Sequence, residues 1–263
     1  MFVNYLKIAL RNLRWKKGYT AINLVGLATG IALCLVMMLY VLHEFSFDRF
    51  HERGDRIYRV IYNPAWTAGA AREPSVYTPT ILAPLFRRQI PEVESAVRFF
   101  DSFGSVLVST DDKVFEEERF FYADSTVFNI FSLQLLVGSN TNALTRPRCV
   151  VVTQSIARKY FGDANPIGKM LTLNNRTAYE VTGIMADVPF NSHLQFDFLA
   201  SFSSLDQWAN REIWSEANFY TYLLLREGAE VQNIQAITEA VIRNAIRSSA
   251  VSTSFDAGVI LEP

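Results

Sequence analysis

Between Lys17 and His43 lie 25 consecutive residues, GYTAINLVGLATGIALCLVMMLYVL, without one charged side chain. As a helix rising about 1.5 Å per residue, such a run outreaches the ~30 Å hydrocarbon core of a bilayer. Each Leu, Ile or Val near its centre favours insertion by roughly 0.3–0.6 kcal/mol, and no charge opposes them. Buried helices of soluble domains seldom run this far uncharged. A cleaved signal peptide would carry an apolar stretch of only about 7–15 residues with a small-x-small cleavage site behind it. The run ends instead in YVLHEFSFDRF, which offers no such site. It is expected to be an uncleaved membrane-spanning helix over residues 19–42.

The charges divide around it. Residues 1–18 hold Lys7, Arg11, Arg14, Lys16 and Lys17 and no acid, a charge of +5, whereas the whole chain sums to −1. The remainder therefore carries −6. The positive-inside rule then sets the N-terminus in the cytoplasm and residues 43–263 outside. A net charge near zero also argues against nucleic acid as a partner. With 50% hydrophobic residues the chain is not disordered, although the run contributes part of that fraction. Asn4, Lys7, Arg11 and Arg14 recur at helical spacing beside an apolar remainder of Val3, Leu6, Ile8, Leu10, Leu13 and Trp15. Residues 1–18 thus read as an amphipathic helix in the cytoplasmic interface, drawn to anionic membrane lipid. Within the run, Gly26 and Gly30 form a small-xxx-small face on which another membrane helix can pack.

Beyond the run the pattern is α+β. The helix is expected to continue to about His51, with Gly54 as its C-cap. Alternation over residues 57–62 marks a strand, and Thr78-Pro79 offers N-cap and first position for a helix burying Ile81, Leu82, Leu85, Phe86 and Ile90. Strands are expected over residues 95–122, with a hairpin at Asp111-Asp112-Lys113, and Asp124 is placed to cap a short helix ending at Phe131. A strand at residues 149–152 leads to a helix QSIARKYF capped by Thr153, then to a hairpin turning at Asn174-Asn175. Strands at residues 195–202 and 218–225 and an amphipathic helix at about 230–248 complete the pattern. Strands mixed with helices and hairpins mean α+β rather than a doubly wound sheet.

Candidate chemistry is sparse. Gly162-Asp-Ala-Asn-Pro-Ile-Gly168-Lys169 has five residues between its glycines, and Met170 stands where a phosphate-binding loop needs Ser or Thr. A turn joining helix to strand explains it better. His43, Glu44, Asp48 and His51 are metal-capable but lack ligand spacing, so no metal is assigned. His193 stands alone in VPFNSH and reads as a loop or packing residue. Glu116, Glu117 and Glu118 read as a solvated strand face. Cys34 and Cys149 fall in different compartments, so no disulfide is expected. No catalytic residue and no cofactor is assigned, and the chain is expected not to be an enzyme.

Several stretches match one family in order. NYLKIALRNL leading to Lys17-Gly18-Tyr19, the exit EFSFDRFH with DRIYR, ARKYFG with Pro166-Ile167-Gly168-Lys169, VTGI with Asp187-Val188-Pro189 and Asn191-Ser192-His193, and YTYLLL at residues 220–225 together resemble bacterial MacB/FtsX-type ABC transporter permeases, of the kind common in Bacteroidetes. The resemblance implies a single transmembrane helix followed by a two-lobed mixed α/β periplasmic domain, residues 43–263, with the inserted lobe at about 125–190. It implies a non-catalytic permease subunit served by a separate cytoplasmic ATPase, a second permease copy or half, and a periplasmic adaptor or substrate protein. Three further membrane helices would come after the core in such permeases, so this sequence reads as first helix plus periplasmic core. The implied mechanism is mechanotransmission: ATP-driven motion of the membrane helices passed to the periplasmic lobes for substrate movement, export or efflux. The competing reading is a membrane-anchored extracytoplasmic sensor or ligand-binding domain of a signalling protein. That reading calls for a second span and a cytoplasmic output domain.

Overall fold

The computed structural model describes residues 4–5, 7–8, 11, 15–65, 74–205, 209, 211–214, 216–249 and 256–263. The chain divides into two compact units, residues 1–47 and 48–263.

The first unit is dominated by α1 (Lys17–Glu44), whose 28 residues include none that the chain itself buries. It is long and apolar enough to cross a membrane. Residues 4, 5, 7, 8, 11 and 15 are helical too, and the other residues of the expected amphipathic segment lie outside those described. A bend at Lys16 separates that segment from α1. The helix stops earlier than its sequence suggests. Phe45 and Ser46 donate back to the carbonyls of Val41 and His43, and turns take the place of helix through Phe50. Gly54 opens a single 3-10 turn rather than capping the helix.

The second unit is built on one mixed sheet. Its strands are β1 (Ile57–Ala65), β2 (Thr78–Pro79), β3 (Val93–Asp101), β4 (Val106–Ser109), β5 (Val114–Glu117), β6 (Phe120–Ala123), β7 (Leu135–Val137), β8 (Cys149–Thr153), β9 (Met170–Leu173), β10 (Thr177–Met185), β11 (Phe198–Ser201), β12 (Ala217–Leu225) and β13 (Asp256–Glu262). Their spatial order is β13-β1-β12-β3-β6-β11-β8-β10-β9-β4-β5, with β2 beside β12 and β7 beside β10. The helices are α2 (Leu82–Gln89), α3 (Val127–Ile130), α4 (Gln154–Phe161) and α5 (Val231–Ser248). Most pairs are antiparallel, and the parallel pairs are β8 with β10 and β6 with β11. That mixture is the α+β architecture the patterning calls for.

The two-residue period of the strands decides which side chains enter which core layer. Val60 and Tyr62 of β1 and Leu223 and Leu225 of β12 point to the face covered by α2 and α5, where Phe86, Ile234 and Ile242 meet them. Tyr222 and Leu224 point the other way, into a layer with Phe99, Phe131, Phe196 and Leu199. A third layer holds Val150, Val152, Phe120, Phe198 and Tyr160 beneath α4. β8 is buried along its whole length because its two faces serve two of these layers.

Local signals account for several turns. The Thr153 hydroxyl accepts the Ile156 N–H at 3.4 Å and caps α4. Gly162 ends that helix at φ 61°, a left-handed conformation glycine adopts without penalty. Asn174 and Asn175 turn the β9–β10 hairpin at φ 49° and 54°. Gly138 is required twice over: its φ is +111°, and an added Cβ would lie 2.8 Å from the Thr182 carbonyl oxygen.

Some expectations fail for identifiable reasons. Thr78 and Pro79 form β2 instead of a helix start, because the Thr78 hydroxyl donates to the Phe219 carbonyl at 2.7 Å and pins the segment to β12. α2 begins at Leu82, with no side-chain cap. Asp124 does not cap α3. Its carboxylate takes the Arg98 backbone N–H at 2.9 Å and the Arg98 guanidinium at 2.8 Å through both oxygens. β7 and β13 have no counterpart among the elements expected from the sequence.

Candidate functional site

The residues with most chemistry gather where the chain enters the core. Asp48 adopts φ 55°, a left-handed conformation that aspartate tolerates better than most side chains. Its N–H donates to the Asn191 carbonyl at 2.9 Å. Its carboxylate accepts from the Ser192 hydroxyl at 3.1 Å and the His193 N–H at 3.2 Å, and lies 2.7 Å from His193 Nδ1. The other ring nitrogen of His193, Nε2, is 2.7 Å from the Tyr222 hydroxyl.

Strand register extends the path. Arg59 of β1 lies opposite Tyr222 of β12 on one side and opposite Glu262 of β13 on the other. The Arg59 guanidinium is hydrogen-bonded to the Glu262 carboxylate, and its charge acts on the Tyr222 phenol opposite it in register. One line of polar contacts thus joins Asp48, His193, Tyr222, Arg59 and Glu262. It ties the first residue of the core to both strands flanking β1, including the last strand of the chain.

Electrostatics fixes the proton on the Tyr222 hydroxyl. Burial pushes the Tyr222 phenol well above its ordinary value, against the opposing pull of Arg59, so Tyr222 keeps its O–H at neutral pH. A self-consistent assignment has Tyr222 donating to Nε2 while Nδ1–H donates to Asp48. The arrangement has the outline of an acid–histidine–hydroxyl triad, but the hydroxyl is a phenol only 2% exposed whose ionisation is disfavoured. The geometry therefore suits holding strands together better than attacking a substrate.

His51 completes the cluster. It is buried, its Nδ1 accepts the Ser132 N–H at 3.2 Å, and its ring meets Phe131 edge-on at 5.0 Å. Burial lowers its pKa, outweighing the nearby Asp48 carboxylate that favours the charged form. The sequence groups Asp48 and His51 with His43 and Glu44 as metal-capable. The fold instead sends Asp48 and His51 into hydrogen bonds, and His43 stacks edge-on against Phe47 at 5.2 Å. Among the described residues, no three His, Cys, Asp or Glu side chains converge as a metal ion would need. His193, expected as a loop or packing residue, lies in the loop before β11 and joins Asp48 to Tyr222, and the signal that could have found this link is the aspartate of DRFH paired with NSH.

A second polar cluster lies under the β4–β5 hairpin. Glu117 is buried rather than solvated: its Oε1 accepts from Lys159 Nζ at 2.7 Å and from the Tyr160 hydroxyl at 2.6 Å. Glu116 and Glu118 stay exposed, as their charge suggests. Nearby, Asp187 accepts from the Ser155 N–H at 3.0 Å and hydroxyl at 2.7 Å, an additional cap on α4. Gly162 and Gly168, the glycines of the phosphate-loop look-alike, both take positive φ in the turn from α4 to β9.

The remaining expected residues lie in the first unit. Around Gly26 and Gly30, among the described residues and apart from the helix's own backbone, nothing comes within 4 Å of an added Cβ. Lys7, Arg11, Lys16 and Lys17 are exposed, and Arg14 lies outside the described residues. Cys34 and Cys149 are both free, and burial pushes the Cys149 thiol up.

Similarity to known proteins bears on this architecture. No curated protein matches the sequence. Among solved structures, a domain of a permease protein from Porphyromonas gingivalis is similar with a TM-score of 0.68 at 22% identity, covering 81% of this chain and 91% of that one. The periplasmic region of MacB from Actinobacillus actinomycetemcomitans gives 0.52 at 13% identity, over 77% of this chain and 87% of that one. The extracellular domain of the noncanonic ABC-type transporter YknZ from Gram-positive bacteria gives 0.51 at 13% identity, over 76% and 98%. At these identities the likeness establishes the fold, with a mixed sheet as its centre. The model of the MacB-like periplasmic core domain matches residues 20–241, and on that match the chain belongs to the MacB-like periplasmic core domain family.

Proposed function

We propose that this chain is the membrane-anchored, extracytoplasmic part of an ABC transporter permease, and that it transmits motion rather than catalysing a reaction. In this reading α1 spans the cell membrane with residues 1–18 in the cytoplasm, and the core stands in the periplasm. Lys7, Arg11, Arg14, Lys16 and Lys17 meet anionic lipid at the inner surface, and the small-xxx-small face at Gly26 and Gly30 packs against another membrane helix. A separate cytoplasmic ATPase drives the motion, a second permease copy or half completes the assembly, and a periplasmic adaptor or substrate protein receives it. For the division of the core, the inserted lobe stays proposed at about 125–190, supported by β8, α4, β9 and β10 all falling inside it. β4 and β5 pair beside β9 and would move with that lobe.

The observation that carries the reading is the Asp48–His193–Tyr222–Arg59–Glu262 line. A transmitted movement needs a stiff element whose position the rest of the domain follows. This line couples the first core residue to β12, β1 and β13, whose side chains form the layer beneath α2 and α5. The test is His193→Ala in the complete permease, reconstituted with its ATPase in nanodiscs and carrying spin labels on the core. ATP hydrolysis should persist while the ATP-dependent change in label distances is lost. Unchanged distance shifts in the variant would sink the coupling role.

A further inference from the structure

Two residues along β12 from Tyr222, a different kind of surface begins. Tyr220 and Tyr77 lie ring to ring with centroids 5.1 Å apart, and their hydroxyls are 3.3 Å apart. Phe103 reaches both Tyr77, at 5.8 Å, and Phe100, at 5.5 Å. In this group stands one carboxylate. Asp101 is two residues beyond Phe99, the register partner of Tyr220, so it shares the sheet face of Tyr220. It accepts the Phe103 N–H at 3.2 Å, and no cation pairs with it among the described residues.

Three features set this surface apart from ordinary packing. Phe103 is 53% exposed, although large aromatic side chains usually contribute through burial. It also holds φ 48°, which is strained for any bulky side chain and tends to persist where function retains it. Finally, partial burial withholds water from Asp101 and raises its carboxyl above the ordinary value, against the Phe103 N–H bond. A carboxylate with no cation paired to it among the described residues, on the sheet face of Tyr220 and bonded to the backbone of Phe103, is complementary to a positive charge on an apolar stem. Arg59, a guanidinium that also acts on Tyr220, is already held by Glu262 and leaves the position open.

We propose that Asp101, Phe103, Tyr77 and Tyr220 form a binding site for an organic ammonium group, such as an alkylamine or the lysine side chain of a peptide. The carboxylate takes the charge, and the rings take the stem and the polarised methylenes next to nitrogen. The site stands apart from the proposed coupling of ATP hydrolysis and holds or fails independently of it.

The test uses the full 263-residue chain in detergent micelles, labelled with fluorotyrosine and followed by fluorine NMR during titration with butylammonium chloride. The signals of Tyr77 and Tyr220, assigned by single Tyr→Phe variants, should move to saturation, while butanol, the neutral counterpart, moves them little. Asp101→Asn should weaken binding about tenfold and Phe103→Gly about threefold. Phe103→Gly separates binding from folding, because it relieves the strained φ. A binding role requires a raised melting temperature together with weakened binding, whereas a lowered melting temperature would mark the ring as structural. Equal binding of butanol, binding of N-acetylglucosamine in place of the ammonium, or an Asp101→Asn variant that titrates like the wild type would each overturn the proposal.

Discussion

Two carboxylates in the core are each held by a hydrogen-bonding side chain and a nitrogen partner, yet they differ in reach. Glu117 is bound by Lys159 and Tyr160, which are neighbours on one helix, so its cluster staples α4 to the adjacent hairpin. Asp48 is bound by Ser192 and His193, and through His193 the contact runs on to Tyr222, Arg59 and Glu262. The first cluster is deep and local; the second is half-exposed and crosses several strands. The difference teaches that burial and connectivity are separate properties. The local cluster should dominate stability, and the long one should dominate how displacement spreads.

The sharpest test of that contrast is Glu117→Ala. It leaves the Tyr160 phenol, kept protonated by burial and by Glu117, with only the Val108 carbonyl at 3.4 Å. A loss of about 2 kcal/mol in chemical denaturation is expected, because the Tyr160 hydroxyl is left poorly paired while Lys159 stays partly open to water. A loss below about 1 kcal/mol would remove the distinction.

His193→Ala should cost less overall, about 1 kcal/mol, since the side chains it pairs are partly open to water. Its mark should be local. Hydrogen exchange at residues 48–56 should speed up while β8 stays protected, and uniform acceleration across the sheet would show that the line is an ordinary core contact.

Acidification probes the same region through His51. Its pKa is lowered in the folded state, so the unfolded chain binds the proton first as pH falls below the ordinary value of 6.5. The stability of the neutral ring is fully present above pH 6.5 and drains away below it, through the lowered folded value. A melting temperature that falls over this window in wild type and stays flat in His51→Gln is the expected outcome.

The smallest effect belongs to Arg59→Gln. Arg59 and Glu262 are both substantially exposed, and such pairs contribute about 0.2–1 kcal/mol. A larger loss would mean that the line is cooperative beyond its individual contacts.

Much of the fold is legible in the chain itself. Uncharged length announces α1, period-two alternation announces β1, and Asn174-Asn175 and Thr153 announce a hairpin and a cap because each acts within a few residues of itself. The features that escape depend on distant partners. Asp124 looks like a cap until Arg98, 26 residues earlier, is seen to claim its carboxylate. DAGVILE gives a weak strand signal alone and becomes β13 only because β1 offers it a full register. Asp48 and His193 are 145 residues apart, and their meeting shows only when the two motifs, DRFH and NSH, are read as a pair, which neither states alone. The early end of α1 is partly readable, since aspartate is among the few residues that tolerate a left-handed turn.

The place of β1 in the sheet has a consequence for how the protein is made. Both neighbours of β1 come from the far part of the chain, and its Arg59–Glu262 pair closes a separation of 203 residues. At about 5–20 residues per second of synthesis, β1 waits roughly ten seconds or more for its partner strands. Until then its edges are paired only by the Tyr62–Ser75 bridge among the described residues, and its apolar face is exposed. Such long-range closure is slow and open to mispairing. The core must therefore finish folding last where its chain began, and a chaperone that shields residues 57–65 during synthesis would raise its yield.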